Sequence, residues 1–345
     1  VKLGGDLVLT GYIDRYDAAV NAREHVVHIS GRSKSADLVD CAAFTGGQGP
    51  NEEQYVIPAG SILSIIQALA KPYGITVTSQ AGDGPNMPAP MPINLGETAW
   101  EIIDRMTKYG AMVAYDMPDG SLMLAQAGNE QMASGFTQGV NVEQAEVNFT
   151  MDQRFSVYEG FQTATPILSL GGGGNMPPQA IEHDEGVPRF RKRIIVSEQP
   201  TPDGPLVQKR VTWEMNRRLG RSQAVNVTCD SWRDTSGNLW APNHLASVSI
   251  PSVKIPNVSW VIGQVVYQKD ERGRHAIVLL MPKGAFLPEP LAMPGAYPTA
   301  QSAGIGGNNP ASQSPPDAPP AQTPLQPTGS YSVGGAAGAW NLGKP

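Results

Sequence analysis

The side chains that could do chemistry are few, and their spacing keeps them apart. His25 and His28 lie three residues apart in an alternating segment, so a strand would point the two rings to opposite faces, unsuited to sharing a metal. His183-Asp-Glu185 is polar and loop-like, and Glu182 with Asp184 or Glu185 could be written as the paired carboxylates of a glycosidase. The aromatic groove and helical context of that role are absent around them. His244 and His275 sit beside strand patterns and read as structural. The chain contains neither a Gly-x-Ser-x-Gly elbow nor a His-Glu-x-x-His pair. Gly171–Gly174 lacks the Lys and Ser/Thr of a phosphate loop and reads as a linker. Cys41 and Cys229 form neither a zinc-ligand spacing nor a disulfide framework, and read as small buried hydrophobes. Asp14, Asp37 and Asp40 suit turn, cap or interface positions. The expectation is a protein that is not an enzyme, with no catalytic residue, cofactor site or metal ligand.

Binding chemistry has two candidates. Arg189-Phe-Arg-Lys-Arg193, followed by Arg217, Arg218 and Arg221, concentrates positive charge in a chain of formal net charge -6. A protein that works on nucleic acid shows a basic face, but the same residues serve as a solvated strand start or an electrostatic patch between subunits. Trp213, Trp232, Trp240 and Trp260 crowd the second half of the chain. They could stack sugars or bases, whereas core packing or a subunit seam is the commoner use of such rings.

The elements that must position these residues are mainly strands. In 345 residues the hydrophobic fraction is 40%, the charged fraction only 16%, and no apolar run is long enough to span a membrane. Asp6–Arg15 and Glu24–Gly31 alternate about a turn at Asp17–Arg23, with a possible bulge at Gly11, and lead into Ala36–Cys41. A helix is predicted over Ile62–Lys71, with Ile62, Ile65, Ile66 and Leu69 on its buried face. A second is predicted over Thr98–Tyr109, with Trp100, Ile103, Met106 and Tyr109 inward. Met117-Pro-Asp-Gly120 then marks a hairpin between Met112–Asp116 and Ser121–Ala125.

Gln144–Thr150 and Arg154–Gln162 alternate as strands. A helix is predicted over Leu206–Leu219, followed by strands at Gln223–Asp230, Leu245–Ile250, Ser259–Lys269 and His275–Met281, the last two joined by a turn at Asp270–Gly273. Such a set closes readily into a barrel. From Lys283 the composition turns to Pro, Gly, Ser and Gln without periodicity, with Tyr331 and Trp340 as a candidate docking element.

In this order the chain carries LTGYID at 9–14, SGRSKSADLVDC at 30–41, ETAWEIIDRMTKYGAMVAYDMPDGSLML at 97–124, WEMNRRLGRSQAVNVTCDSWRD at 213–234, LWAPNHLASVSI at 239–250 and LLMPKGAF at 279–286. Together these segments resemble the tail protein P family of Mu-like contractile phages, similar in fold to the hub portion of type VI secretion spikes. The resemblance implies a structural baseplate hub: a homotrimeric ring with two barrel-like β domains per subunit, joining the sixfold tail tube to the threefold spike. The implied partners are further copies of the chain, the trimeric central spike, the tail tube or its initiator, and baseplate wedge proteins. DNA would only pass through the lumen, whose mild acidity would suit that passage.

The implied location is the virion tail baseplate, assembled in the host cytoplasm, without stable membrane insertion. The family pattern carries a β segment before its GYID piece, so the first barrel is expected to be incomplete. The expected domains are 1–51 (part of the first hub barrel), 52–127 (an α+β helix-hairpin domain), 128–178 (a β segment completing the first barrel, and a linker), 179–286 (a second barrel-like domain) and 287–345 (an extended tail). A tail-borne cell-wall hydrolase or glycan-binding module is the alternative.

Overall fold

The computed structural model describes residues 1–49, 51–162, 178–197 and 205–291. The Gly171–Gly174 loop and the sequence from residue 292, including Tyr331 and Trp340, lie outside the described residues.

Near the start, β1 (Gly11–Val20) and β2 (His25–Ser33) pair antiparallel as a two-stranded ribbon. The reversal is at Asn21–Glu24, later than the polar stretch suggests, because the Asn21 carboxamide oxygen accepts from the Arg23 and Glu24 amides at 2.8 and 2.9 Å. The bulge falls between Ile13 and Arg15 rather than at Gly11. Gly11 instead marks a close approach of the two strands, since a Cβ there would lie 1.9 Å from the Arg32 carbonyl oxygen. The ribbon's root is tied to the short helix α1 (Ala36–Asp40) by Arg32, which bonds Asp14 at 2.9 Å and Asp40 at 2.5 Å.

The next unit forms around two helices, α2 (Ile62–Ala70) and α3 (Ala99–Tyr109), and the strands β3 (Val77–Ser79), β4 (Val113–Asp116) and β5 (Leu122–Ala125). Ser61 caps α2 by accepting from the Ser64 amide. Thr98 and Glu101 cap α3 reciprocally, the Glu101 carboxylate taking the Thr98 amide at 2.8 Å. The strands order as β4–β5–β3, with β5 parallel to β3. One core joins Ile62, Ile65, Ile66 and Leu69 of α2 to Ile102, Ile103 and Met106 of α3. Trp100 and Tyr109, expected inside, only flank it half-buried, while Ala99 and Ile102 take the innermost places. Leu38 of α1 and Ala43 belong to the same core, so the unit starts upstream of residue 52.

The remaining elements are β6 (Glu130–Gln131), β7 (Phe136–Thr137), β8 (Val142–Phe149), β9 (Val157–Gln162), β10 (Ala180–His183), β11 (Lys192–Ser197), α4 (Pro205–Arg221), β12 (Gln223–Cys229), β13 (His244–Ile250), β14 (Ile255–Asp270) and β15 (Gly273–Met281). They form two separate sheets. In the larger, β13, β14, β15, β12 and β8 follow one another antiparallel, and β6 and β7 both lie parallel to β13 at the other edge.

This sheet cannot be flat. Five strand spacings of about 4.8 Å would part β7 from β8 by about 24 Å, yet the five residue steps from Thr137 to Val142 reach about 17 Å at most. The sheet is therefore curled, its two edges linked by one short turn and a single bridge between Gln138 and Val142. Its ladder stays open there, so the barrel expected over 179–286 is an open curled sheet among the described residues.

The smaller sheet orders as β10–β9–β11, with β9 and β11 parallel, and α4 covers one of its faces. Gly160 on β9 is where the helix comes nearest, since a Cβ there would meet Val207 and Val211 at 2.5 and 2.6 Å. Two corrections to the expected organisation follow. Residues 130–149 join the curled sheet instead of completing a first barrel, and residues 180–197 belong to the smaller sheet instead of opening the second domain. In both cases partners distant in sequence decide the pairing.

Candidate interaction surfaces

The fold disperses the residues that could have made a reaction centre. His25 and His28 occupy opposite faces of β2 in the exposed ribbon. Asp184 turns inward and clamps the buried Arg154 guanidinium with two bonds of 2.7 and 2.8 Å. The hydrogen bonds to Asp184 hold the charged form of Arg154 and raise its pKa. Glu182 instead accepts from Gln208 and Thr212 of α4 at 2.7 and 2.8 Å. The two carboxylates therefore brace different elements and face no common cleft. His244 meets Glu130 at 3.0 Å and His275 meets Glu143 at 2.8 Å, both as ties within the curled sheet. No group of three or more potential metal ligands occurs among the described residues.

Trp213, Trp232, Trp240 and Trp260 are structural as well. Trp240 is fully buried, packs on Phe136 with ring centroids 4.4 Å apart, and donates to the Ser231 carbonyl. Trp213 donates to Leu287, and Trp232 to the carbonyls of Gln268 and His275. Trp260 is buried in the same core as Trp240. Cys229 is buried, which pushes its thiol up to about 11, whereas Cys41 is half-buried rather than enclosed.

The basic cluster gathers around a ring. Arg191, Arg193 and Arg218 stand 4.9, 5.9 and 5.3 Å from the centre of Phe155. Glu214 pairs with Arg218 at 2.7 Å and lies 3.8 Å from Arg193. Asp40, by contrast, accepts from the Arg32 guanidinium, which holds its carboxyl below the usual range.

What the molecule does offer is uncovered apolar surface on strands. Register places Ile13, Tyr16, Ala18 and Val20 of β1 opposite Gly31, Ile29, Val27 and His25 of β2, all on one face. Ile13 is 71% and Val20 80% exposed. The other face carries Arg15, Asp17, His28, Ser30 and Arg32, interspersed with Tyr12, Ala19 and Val26. The ribbon thus has one largely apolar face and one mixed face that bears the charges, and among the described residues nothing covers the first.

Alternation in the sequence showed Val27 and Ile29 but missed their partners. Ile13 and Tyr16 are three apart, and the unpaired Asp14 shifts the phase so that they share a face. Spotting them would have required placing the bulge at Asp14.

A second such surface lies on the small sheet, on the side away from α4. There Val157, Phe161, Ile181, Ile194 and Val196 share a face with the Glu159–Lys192 ion pair of 2.7 Å. Ile181, Ile194 and Val196 are exposed.

Comparison with known proteins fits this picture of a chain built for contacts. The family described as baseplate hub protein gp44-like, second domain, matches residues 35–126, and that described as Mu phage baseplate assembly protein GpP, fourth domain, matches residues 204–289. Baseplate hub protein gp44 of Escherichia phage Mu is 26% identical over 295 residues, spanning 83% of this chain and 75% of that protein. The crystal structure of the prophage MuSo2 43 kDa tail protein from Shewanella oneidensis superposes with a TM-score of 0.71 at 26% identity, over 84% of this chain and 81% of that one. The tail protein from Neisseria meningitidis MC58 shares the fold, with a TM-score of 0.64 at 17% identity over 82% of each chain. Two baseplate-protein domains matched in order, within a likeness that runs along most of the chain in both sequence and structure, make the chain similar to the Mu-like phage baseplate hub proteins.

Proposed function

We propose that this chain is a structural hub of a contractile phage baseplate, three copies of which form a ring between the sixfold tail tube and the threefold central spike. The curled sheet and the ribbon-bearing part of the chain would act as the two barrel-like parts of each subunit, so that three subunits present six similar units to the tube. Its partners in this reading are the spike, the tail tube or its initiator, and the wedge proteins. DNA passes through the lumen without being held. The ring works by geometry: it seats the spike, adapts the symmetry, and opens a path when the spike leaves.

The observation that carries this reading is the pair of uncovered apolar strand faces, on β1–β2 and on β9–β10–β11. A protein that acts alone rarely leaves such surfaces in water, and one that assembles buries them against partners. No observation favours the lytic or glycan-binding alternative, since Glu182, Asp184, Trp213, Trp232, Trp240 and Trp260 brace the fold.

Light scattering on the full chain, alone and mixed with its cognate spike, tests the proposal. A trimer that takes up one trimeric spike is the expected result. A monomer that also fails to bind the spike would overturn it.

A further inference from the structure

We propose that the apolar face of the β1–β2 ribbon docks on the outer face of the β9–β10–β11 sheet of a second copy of this chain, head to tail; the inference rests on the ring-forming reading above. A two-stranded ribbon is at best marginally stable by itself in water. Here it carries Ile13, Tyr16, Val20, Val27 and Ile29 exposed on one side, and the charged residues, with Tyr12 and Val26 among them, on the other. The placement of the charges sets the side that can be covered at least cost. Covering it with a β surface makes an ordinary two-layer packing, with sheets about 10 Å apart.

The small sheet supplies the matching layer. Its inner face is already taken by Val207 and Val211 of α4, while Ile181, Ile194 and Val196 on its outer face meet solvent. Within one chain the two apolar faces are both exposed, so neither covers the other.

Charge points to a second copy as the occupant. The chain has a formal net charge of -6, so two copies repel over most of their surfaces. The ribbon is an exception: Asp14, Asp17 and Glu24 are offset by Arg15, Arg23 and Arg32. The sheet face is another, since Glu159 is neutralised by Lys192. Copies can therefore approach through these two places with the least electrostatic cost. The two faces also differ from each other. A contact between unlike patches is heterologous, and it builds a closed ring when the rotation per subunit is right, rather than a two-fold dimer. Every copy then gives one ribbon and accepts one.

Two full-length variants test this, Ile13→Glu with Ile29→Glu on the ribbon, and Ile194→Glu with Val196→Glu on the sheet. All four positions are exposed, so both variants should melt with the wild type. Each alone should associate at least about 100-fold more weakly, because docking would bury unpaired carboxylates. Mixed one to one, they retain a single intact pair of faces, and light scattering should show a heterodimer that grows no further.

Variants that assemble like the wild type would overturn the docking while leaving the hub reading in place. So would a mixture that stays monomeric, since the sheet would then not be the acceptor. A wild type that is monomeric both alone and with the spike would remove the hub reading itself, and the docking with it.

Discussion

The β1–β2 ribbon and the helical unit that follows it contain the same kinds of apolar side chain and place them oppositely. Ile62, Ile65, Ile66 and Leu69 recur at helical spacing and vanish into a core with Ile102, Ile103 and Met106. Ile13, Tyr16, Val27 and Ile29 are as apolar but stay in solvent, because a ribbon of two strands has no second layer of its own. In the helical unit, burial stabilises the subunit. In the ribbon, the same chemistry remains available for association. Substitutions in the two regions should therefore register in different measurements, folding stability for one and assembly for the other.

The largest effect on folding should come from Arg154→Ala. It leaves the enclosed Asp184 carboxylate without its partner, beneath the sheet that bears the second apolar face. A loss of about 3–5 kcal/mol in urea unfolding is expected, and a loss below about 1 kcal/mol would mean that solvent already reaches the pair. Ile103→Ala should cost about 2–5 kcal/mol by opening a cavity in the helical core. Thr98→Ala removes one half of the α3 capping box and should cost about 1 kcal/mol.

Ile13→Ala should change folding stability by less than about 0.5 kcal/mol while weakening self-association. If it lowered the unfolding midpoint as far as Ile103→Ala does, the contrast between the regions would collapse. The finest probe is a thiol reagent at pH 8. With its pKa pushed up to about 11 by burial, Cys229 presents about 0.1% thiolate. Half-buried Cys41 should therefore react first, and Cys229 only on unfolding.

Much of the helical unit could be read from the sequence, since helix and tight-turn signals are local. The spacing at Ile62–Leu69 reappears as a helix and the Met117–Gly120 turn as a hairpin. The same holds for the long hairpin turning at Asp270–Gly273. Sheet membership was not legible. Glu130–Gln131 and Phe136–Thr137 are too short to announce themselves, and they pair in parallel with His244–Ile250, over a hundred residues away. The candidate surface was half visible, because Val27 and Ile29 alternate openly while the bulge at Asp14 conceals Ile13 and Tyr16.

The sequence by itself determined that the chain is mainly β, with helices close to the predicted Ile62–Lys71, Thr98–Tyr109 and Leu206–Leu219, and that its segments, in order, resemble those of a baseplate hub protein. Periodicity and local turn chemistry suffice for that, because they act over a few residues. Only the tertiary structure decided that Asp184 belongs to Arg154 and Glu182 to α4, that residues 130–149 complete the curled sheet, and that the ribbon's apolar face is left uncovered. Those outcomes depend on which distant strands pair and on what remains to cover each face, and strand alternation is the same whether its apolar side meets a core, a partner or water.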